Sequence, residues 1–283
     1  MFKKLLLIIM PFILFSCTSN VDEFEIKKAN QFFESIFQDR VLDSPEFQSS
    51  LGYKSNYDKW DDITWQNSRR KAKQSVNDLA YLRENINFDK LDESTKISYL
   101  LMEKRLQRTI DNDKFIFHGY MITHRGGKHS SIPSFLINYH KVDEEQDVKD
   151  YIGRLRNIES LMNDLIEQLR SRQDVKKIAP AFVFPQAIKT SENIISGYPF
   201  EETKKQNVIY ADFMKKLNAL DISDAKKLRY QSEAEAVLLT IVNYSYTKLI
   251  DFLKEQQILA DNNHGVWKFE DGADYYQHAL DGY

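Results

Sequence analysis

The sequence predicts a mainly α-helical fold, a multi-helix domain with one short extended segment near residues 114–122. Three observations carry that prediction. Only 9 Gly and 6 Pro punctuate 283 residues. The long stretches between them space their apolar residues by three and four, the period of a helix face. A hydrophobic content of 42% with 13% aromatic residues supplies a packed core and excludes a disordered coat. No repeat at 34 or 40 residues marks a tetratricopeptide or HEAT array.

The chain opens with the short basic stretch Met1-Phe2-Lys3-Lys4, followed by an uninterrupted apolar run from Leu5 to Phe15. A permanent bilayer span needs roughly 20 apolar residues, so this run fits the hydrophobic region of an export signal. Leu14-Phe15-Ser16-Cys17 closes it and resembles the lipobox read by lipoprotein signal peptidase. Cys17 is the single cysteine of the chain, and an exported protein has no disulfide use for a lone thiol. The expectation is a leader over 1–16, lipid attached at Cys17 and a mature domain over 17–283. By resemblance to the lipoproteins of enteric bacteria, Thr18 after the cysteine favours the outer membrane of the cell envelope. Lys3 and Lys4 leave with the leader, so 37 basic residues face 42 acidic ones. That balance carries no nucleic-acid footprint.

In chain order, helical patterns cover Phe24 to Gln38, Trp65 to Arg83 and Ser94 to Ile110. Lys114 to Ile122 is rich in aromatic and β-branched residues and runs into His124-Arg125-Gly126-Gly127, which reads as an extended segment ending in a loop. The clearest helix spans about Gln146 to Arg172, with Val148, Tyr151, Leu155, Ile158, Met162, Leu165 and Leu169 on one stripe. Glu145 and Asp147 complement the positive end of its dipole. Shorter helices follow over Pro185 to Ile195 and Thr203 to Leu217. A second long helix starts after Asp221, capped by Ser223 or Asp224, and carries Leu228, Leu239, Val242, Tyr246, Leu249 and Leu253 toward a core. Turn signals at Asn262-Asn263-His264-Gly265 and Asp271-Gly272 flank Val266 to Phe269.

Catalytic constellations are absent from the sequence. None of the six histidines precedes Glu, so the zinc motif His-Glu-x-x-His does not occur. His118, His124 and His129 lie at spacings of six and five, which do not bring rings to one helix face. They are expected to be ordinary loop or partly buried histidines. No Gly-x-Ser-x-Gly elbow, phosphate loop or Gly-x-Gly-x-x-Gly occurs. The chain is therefore expected to hold no catalytic residues, no metal and no cofactor of its own.

Several stretches in order carry a family resemblance: Pro45-Glu46-Phe47 with Leu51-Gly52, Ser131 to Leu136 through His140, and Tyr151-Ile152-Gly153-Arg154-Leu155. Ala179-Pro180, Phe213 through Leu217, and the run Val242, Tyr246, Leu249 follow. Gly265-Val266-Trp267 and Asp271-Gly272-Ala273-Asp274-Tyr275-Tyr276 close the series. Together, over residues 45 to 283, they resemble the bacterial domain-of-unknown-function 885 family, whose long members resemble helical zinc metallopeptidases. Tyr244 departs from the pattern, since members often have Pro there. The resemblance implies a further helical half bearing His-Glu-x-x-Pro-Gly-His, which provides the ligands for zinc and the general base in the complete family protein. This chain ends at Tyr283, before that motif, so the expectation is a membrane-anchored, non-catalytic portion, inactive alone, that cradles peptide substrate and lacks its C-terminal half. The alternative is a helical surface-binding or structural lipoprotein without enzymatic activity.

If a binding surface lies in this portion, the candidates are Gly126, Gly127, His140, Tyr275 and Tyr276. Glycine lets a backbone approach a ligand, and Tyr pairs a ring face with a polar tip. The competing expectation is that His140 caps a helix and the tyrosines pack inside. An apolar face exposed near Leu253, Ile258, Leu259, Trp267 and Phe269 is also expected, where a second layer would sit.

Overall fold

A computed structural model describes residues 21–282, so the leader and the lipid site at Cys17 lie outside the described residues. Four helices lead the chain: α1 (Glu23–Leu42), α2 (Pro45–Ser50), α3 (Trp65–Asn85) and α4 (Glu93–Asp111). Each starts where the sequence offers a side-chain acceptor to unpaired N–H groups. Asp22 accepts from Phe24 N, Ser44 from Phe47 N, Thr64 from Asn67 N and Asp92 from Thr95 N. Helices α1, α3 and α4 enclose a small core of Ala29, Leu79, Leu82, Ile86, Leu91, Tyr99 and Leu106.

A two-residue hairpin, β1 (Ile122–Thr123) and β2 (Gly126–Gly127), then leads into α5 (Lys128–Tyr139), α6 (Glu145–Arg156), α7 (Ile158–Asp174), α8 (Val183–Ile194) and α9 (Val208–Ala219). The last helices are α10 (Asp224–Val237), α11 (Asn243–Leu259) and α12 (Gly272–Leu280). Helices α5 to α11 share the main core, in which the stripe from Val148 to Leu169 is buried throughout.

The extended segment expected over 114–122 is realised only at its end. Residues 112–115 form a tight 3-10 turn, and the chain stays curled because Arg172 donates to the carbonyls of Ile116 and Gly119. The long helix expected over 146–172 is divided at Asn157 into α6 and α7. The Asn157 side chain donates to Asp58 O at 2.9 Å, a bond across the fold that periodicity does not contain. The helix expected from Thr203 begins at Val208, because Asn207 accepts from Ile209 N and ties back to Ile194 O and Ser196 O.

Ser223 caps α10 as expected, yet Leu228 and Leu239 are exposed while Val242, Tyr246, Leu249 and Leu253 are buried. A π-helical turn over Leu238–Val242 joins α10 to α11. It inserts one residue into the helical register, so Leu238 takes the core position that the regular period assigns to Leu239. The helix continues through Tyr244.

Helix α5 lies outside the helices the sequence marks and carries Pro133 in its middle. Proline removes the N–H that would bond the carbonyl four residues back, here His129 O. Tyr246 fills the gap by donating its hydroxyl to His129 O at 2.6 Å, so the helix keeps its carbonyl satisfied from another element.

Candidate functional site

The five expected contact residues fall in three places. Gly126 and Gly127 form the second strand of the hairpin. Gly126 holds φ at +134°, a backbone region that favours glycine. A Cβ on Gly127 would stand 2.4 Å from Met121 O. Both glycines therefore serve the close approach of the chain to itself. His124 at the hairpin tip packs against Phe182, which in turn meets His264.

His140 is fully buried and lies in a polar hub. Its Nε2 sits 3.0 Å from Asp147 O and its Nδ1 2.9 Å from an Arg154 guanidinium nitrogen. A carbonyl accepts and a guanidinium donates, so Nε2 carries the proton and Nδ1 accepts. Burial, and then the Arg154 charge, hold the ring neutral by depressing its pKa to about 3. Tyr57 stacks on the ring at 4.1 Å.

Arg154 is fully buried and has no carboxylate partner among the described residues. It donates to Lys59 O, Ser49 Oγ and His140. Burial lowers its pKa to about 10. Asp147 completes the hub by accepting from Asp143 N, Glu144 N and Lys54 Nζ. The buried groups His140, Arg154 and Asp147 are bonded within the protein, so the hub ties the loop after α5 to α6.

Tyr275 and Tyr276 lie on α12. Tyr276 is exposed, and Tyr275 packs its ring 5.5 Å from Phe115 and 4.8 Å from His118. The His118 cluster concentrates the unresolved chemistry. Its Nε2 stands 2.8 Å from Asp271 Oδ1 and 2.5 Å from Lys177 Nζ, and Lys177 reaches the same carboxylate oxygen at 3.1 Å. Nε2 can donate to Asp271 or accept from Lys177, but not both. Nδ1 is buried without a partner, so neither tautomer satisfies the ring. His118 and Lys177 hold the Asp271 carboxyl down at about 2 despite opposing desolvation. Asp271 thereby joins the ring of His118 to the ammonium of Lys177.

His129 is fully buried with both ring nitrogens unpartnered, and burial depresses its pKa to about 4. His118 and His129, expected as loop or partly buried histidines, are both buried. Their burial follows from contacts with residues more than a hundred positions away, such as Asp271 and Tyr246. Among the described residues no group of three or more His, Cys, Asp or Glu side chains is placed to hold a metal ion. Among the same residues no helix is long and apolar enough to cross a membrane.

These features define a mainly helical protein with one bonded polar hub around His140 and Arg154, and one cluster of His118, Lys177 and Asp271 in which the ring is incompletely bonded. Residues 45–283 match the family described as "Bacterial protein of unknown function (DUF885)", and the chain belongs to that family. Its fold is similar to a crystal structure described as a putative lipoprotein from Colwellia psychrerythraea, with a TM-score of 0.73 at 18% sequence identity. The match covers 91% of this chain and 45% of that one, so the chain spans less than half the length of this structural relative. Among curated proteins nothing matches.

Proposed function

We propose that this chain is the amino-terminal, non-catalytic portion of a lipid-anchored envelope protein of the zinc-peptidase type, which cradles peptide substrate for a helical half carrying the zinc. The supporting observation is the exposed apolar surface near the end of the described chain. Ile258 is 85% and Trp267 75% exposed, with Leu259, Tyr276 and Leu280 also open to solvent. Single exposed apolar residues are ordinary, whereas several within one short stretch mark a surface awaiting a partner. Cys17 would carry the lipid, and Thr18 favours the outer membrane.

Two of the five positions expected to be exposed are not. Leu253 is fully buried and Phe269 nearly so, because α11 packs inward and the turn at Val266–Lys268 folds Phe269 against His118. That closure favours a second reading, a helical binding lipoprotein without enzymatic activity.

The two readings separate in one experiment. The chain is produced alone and together with the segment corresponding to the remainder of the structural relative, if the genome encodes one. Under the peptidase reading the pair co-purifies, the melting temperature rises by mass action and dye binding at Trp267 falls. A dye-silent, sharply melting chain that ignores such a segment would leave the binding module as the function.

A further inference from the structure

The start of α1 is fixed to the turn between α3 and α4. Asp22 N donates to Lys90 O at 2.9 Å, Asn87 N donates to the Glu25 carboxylate at 3.0 Å, and Lys90 Nζ pairs with Asp22 at 3.4 Å. Lys28 adds a bond to Asn85 O at the end of α3. Val21 is thereby held at one end of the three-helix unit, where α1 begins, α3 ends, the 3-10 turn Phe88–Lys90 follows and α4 begins. On that end Phe24 is 72% exposed, and Val21 is also open to solvent.

A single exposed Phe is ordinary. Phe24 differs by its place in the chain, because Cys17 precedes Val21 by only four residues. Four residue steps span at most about 14 Å when fully extended. A lipid on Cys17 therefore holds this end of α1 beside the bilayer. Leu42, equally exposed, lies eighteen residues further along the same helix, about 27 Å away. Tethering also raises the local concentration of lipid around Phe24, so a contact too weak to form alone can form here. Charge then selects the lipid. Lys28, Lys90 and Lys96 are paired with Glu25, Asp22 and Glu93, whereas the exposed Glu23, Glu84 and Asp89 make no ion pair among the described residues. An end with surplus carboxylates repels anionic headgroups, which attract basic segments.

We propose that Phe24, with Val21 beside it, seats in a zwitterionic lipid surface as a second membrane contact. The end of the three-helix unit at residues 21–24 and 84–93 then faces the bilayer. The inference rests on the reading of Cys17 as a lipid anchor and adds to it the orientation of the domain.

The full chain, processed in a host that lipidates it and reconstituted in phosphatidylcholine vesicles, carries the test as Phe24→Trp and, for comparison, Leu42→Trp. Both side chains are exposed, so neither substitution enters the core. Relative to the unaltered chain, Phe24→Trp should add emission that lipids brominated in their acyl chains quench. Leu42→Trp should add emission that they leave unchanged. Quenching at position 24 should persist in about 1 M salt, where charge contacts are screened. Intact mass separates this inference from the anchor reading. An acyl mass on Cys17 with unquenched Phe24→Trp emission would overturn the seating and leave the anchor standing, whereas a chain without acyl mass would overturn both. Equal quenching of the two variants, or quenching that appears only with anionic lipid, would also overturn the proposal.

Discussion

His140 accepts a hydrogen bond from Arg154 through one ring nitrogen and donates to Asp147 O through the other, at 2.9 and 3.0 Å. Neutral imidazole is the only form that can do both, since a protonated ring has no acceptor. The unfolded chain binds a proton at His140 near pH 6.5, whereas the folded ring resists it to about 3. The stability this contributes is therefore complete above about pH 6.5 and is lost as pH falls toward 3. Urea unfolding across that window should show stability declining with acid, by a few kcal/mol in all. His140→Gln should flatten the slope, and an unchanged slope would mean that the ring is solvated.

Arg154→Met should lower stability by about 3 kcal/mol or more, because Ser49 Oγ, Lys59 O and His140 Nδ1 lose their donor inside the protein. Arg154→Lys should recover little, since an ammonium cannot reproduce the planar fork that serves three acceptors. Equilibrium denaturation of both variants gives the comparison. Full rescue by lysine would show that charge alone holds the hub.

His129 invites the opposite change. Both of its ring nitrogens are buried and unpartnered, and an unmet polar group inside a protein costs about 1–3 kcal/mol. His129→Leu should raise the melting temperature at neutral pH and reduce the acid sensitivity further, because the depressed pKa at His129 acts with the same sign as that at His140. A fall in stability at neutral pH would reveal a hydrogen-bond partner for the ring.

Gly127→Ala should destabilise the protein by about 1–3 kcal/mol, the range for overpacked sites. The added methyl would meet Met121 O at 2.4 Å and the His129 ring at 3.2 Å. Thermal melting reads the loss, and a neutral substitution would mean that the hairpin relaxes freely.

Asp271→Asn should loosen α12 without unfolding the body. The helix is held at its start by the contacts of Asp271 to His118 and Lys177, and further along by Lys114 to Asp274 and His278 to Asn112. Limited proteolysis should then cut within residues 272–282 faster than in the unaltered chain, while the main melting transition stays in place. Equal cleavage rates would assign the docking of α12 to the aromatic contacts of Tyr275.

Much of this protein is written locally. Helix starts behind Asp22, Thr64, Asp92 and Ser223 are legible because a cap and the N–H groups it satisfies are within three residues of one another, whereas the short α2 behind Ser44 lies outside the helices the period marks. The buried stripe of α6 and α7 is legible for the same reason, since helical period is a property of neighbouring residues. The order of short motifs from Pro45 to Tyr276 likewise carries the family. Tertiary structure decided what depends on distant partners: Asp58 divides the long helix at Asn157, Tyr246 preserves α5 around Pro133, and the π turn moves Leu239 out of the core. It also placed the five candidate residues apart, gathering His118, Lys177 and Asp271 instead. No spacing in the chain announces that triad, because hydrogen bonds across more than ninety residues follow from how helices pack and not from the pattern within any one of them.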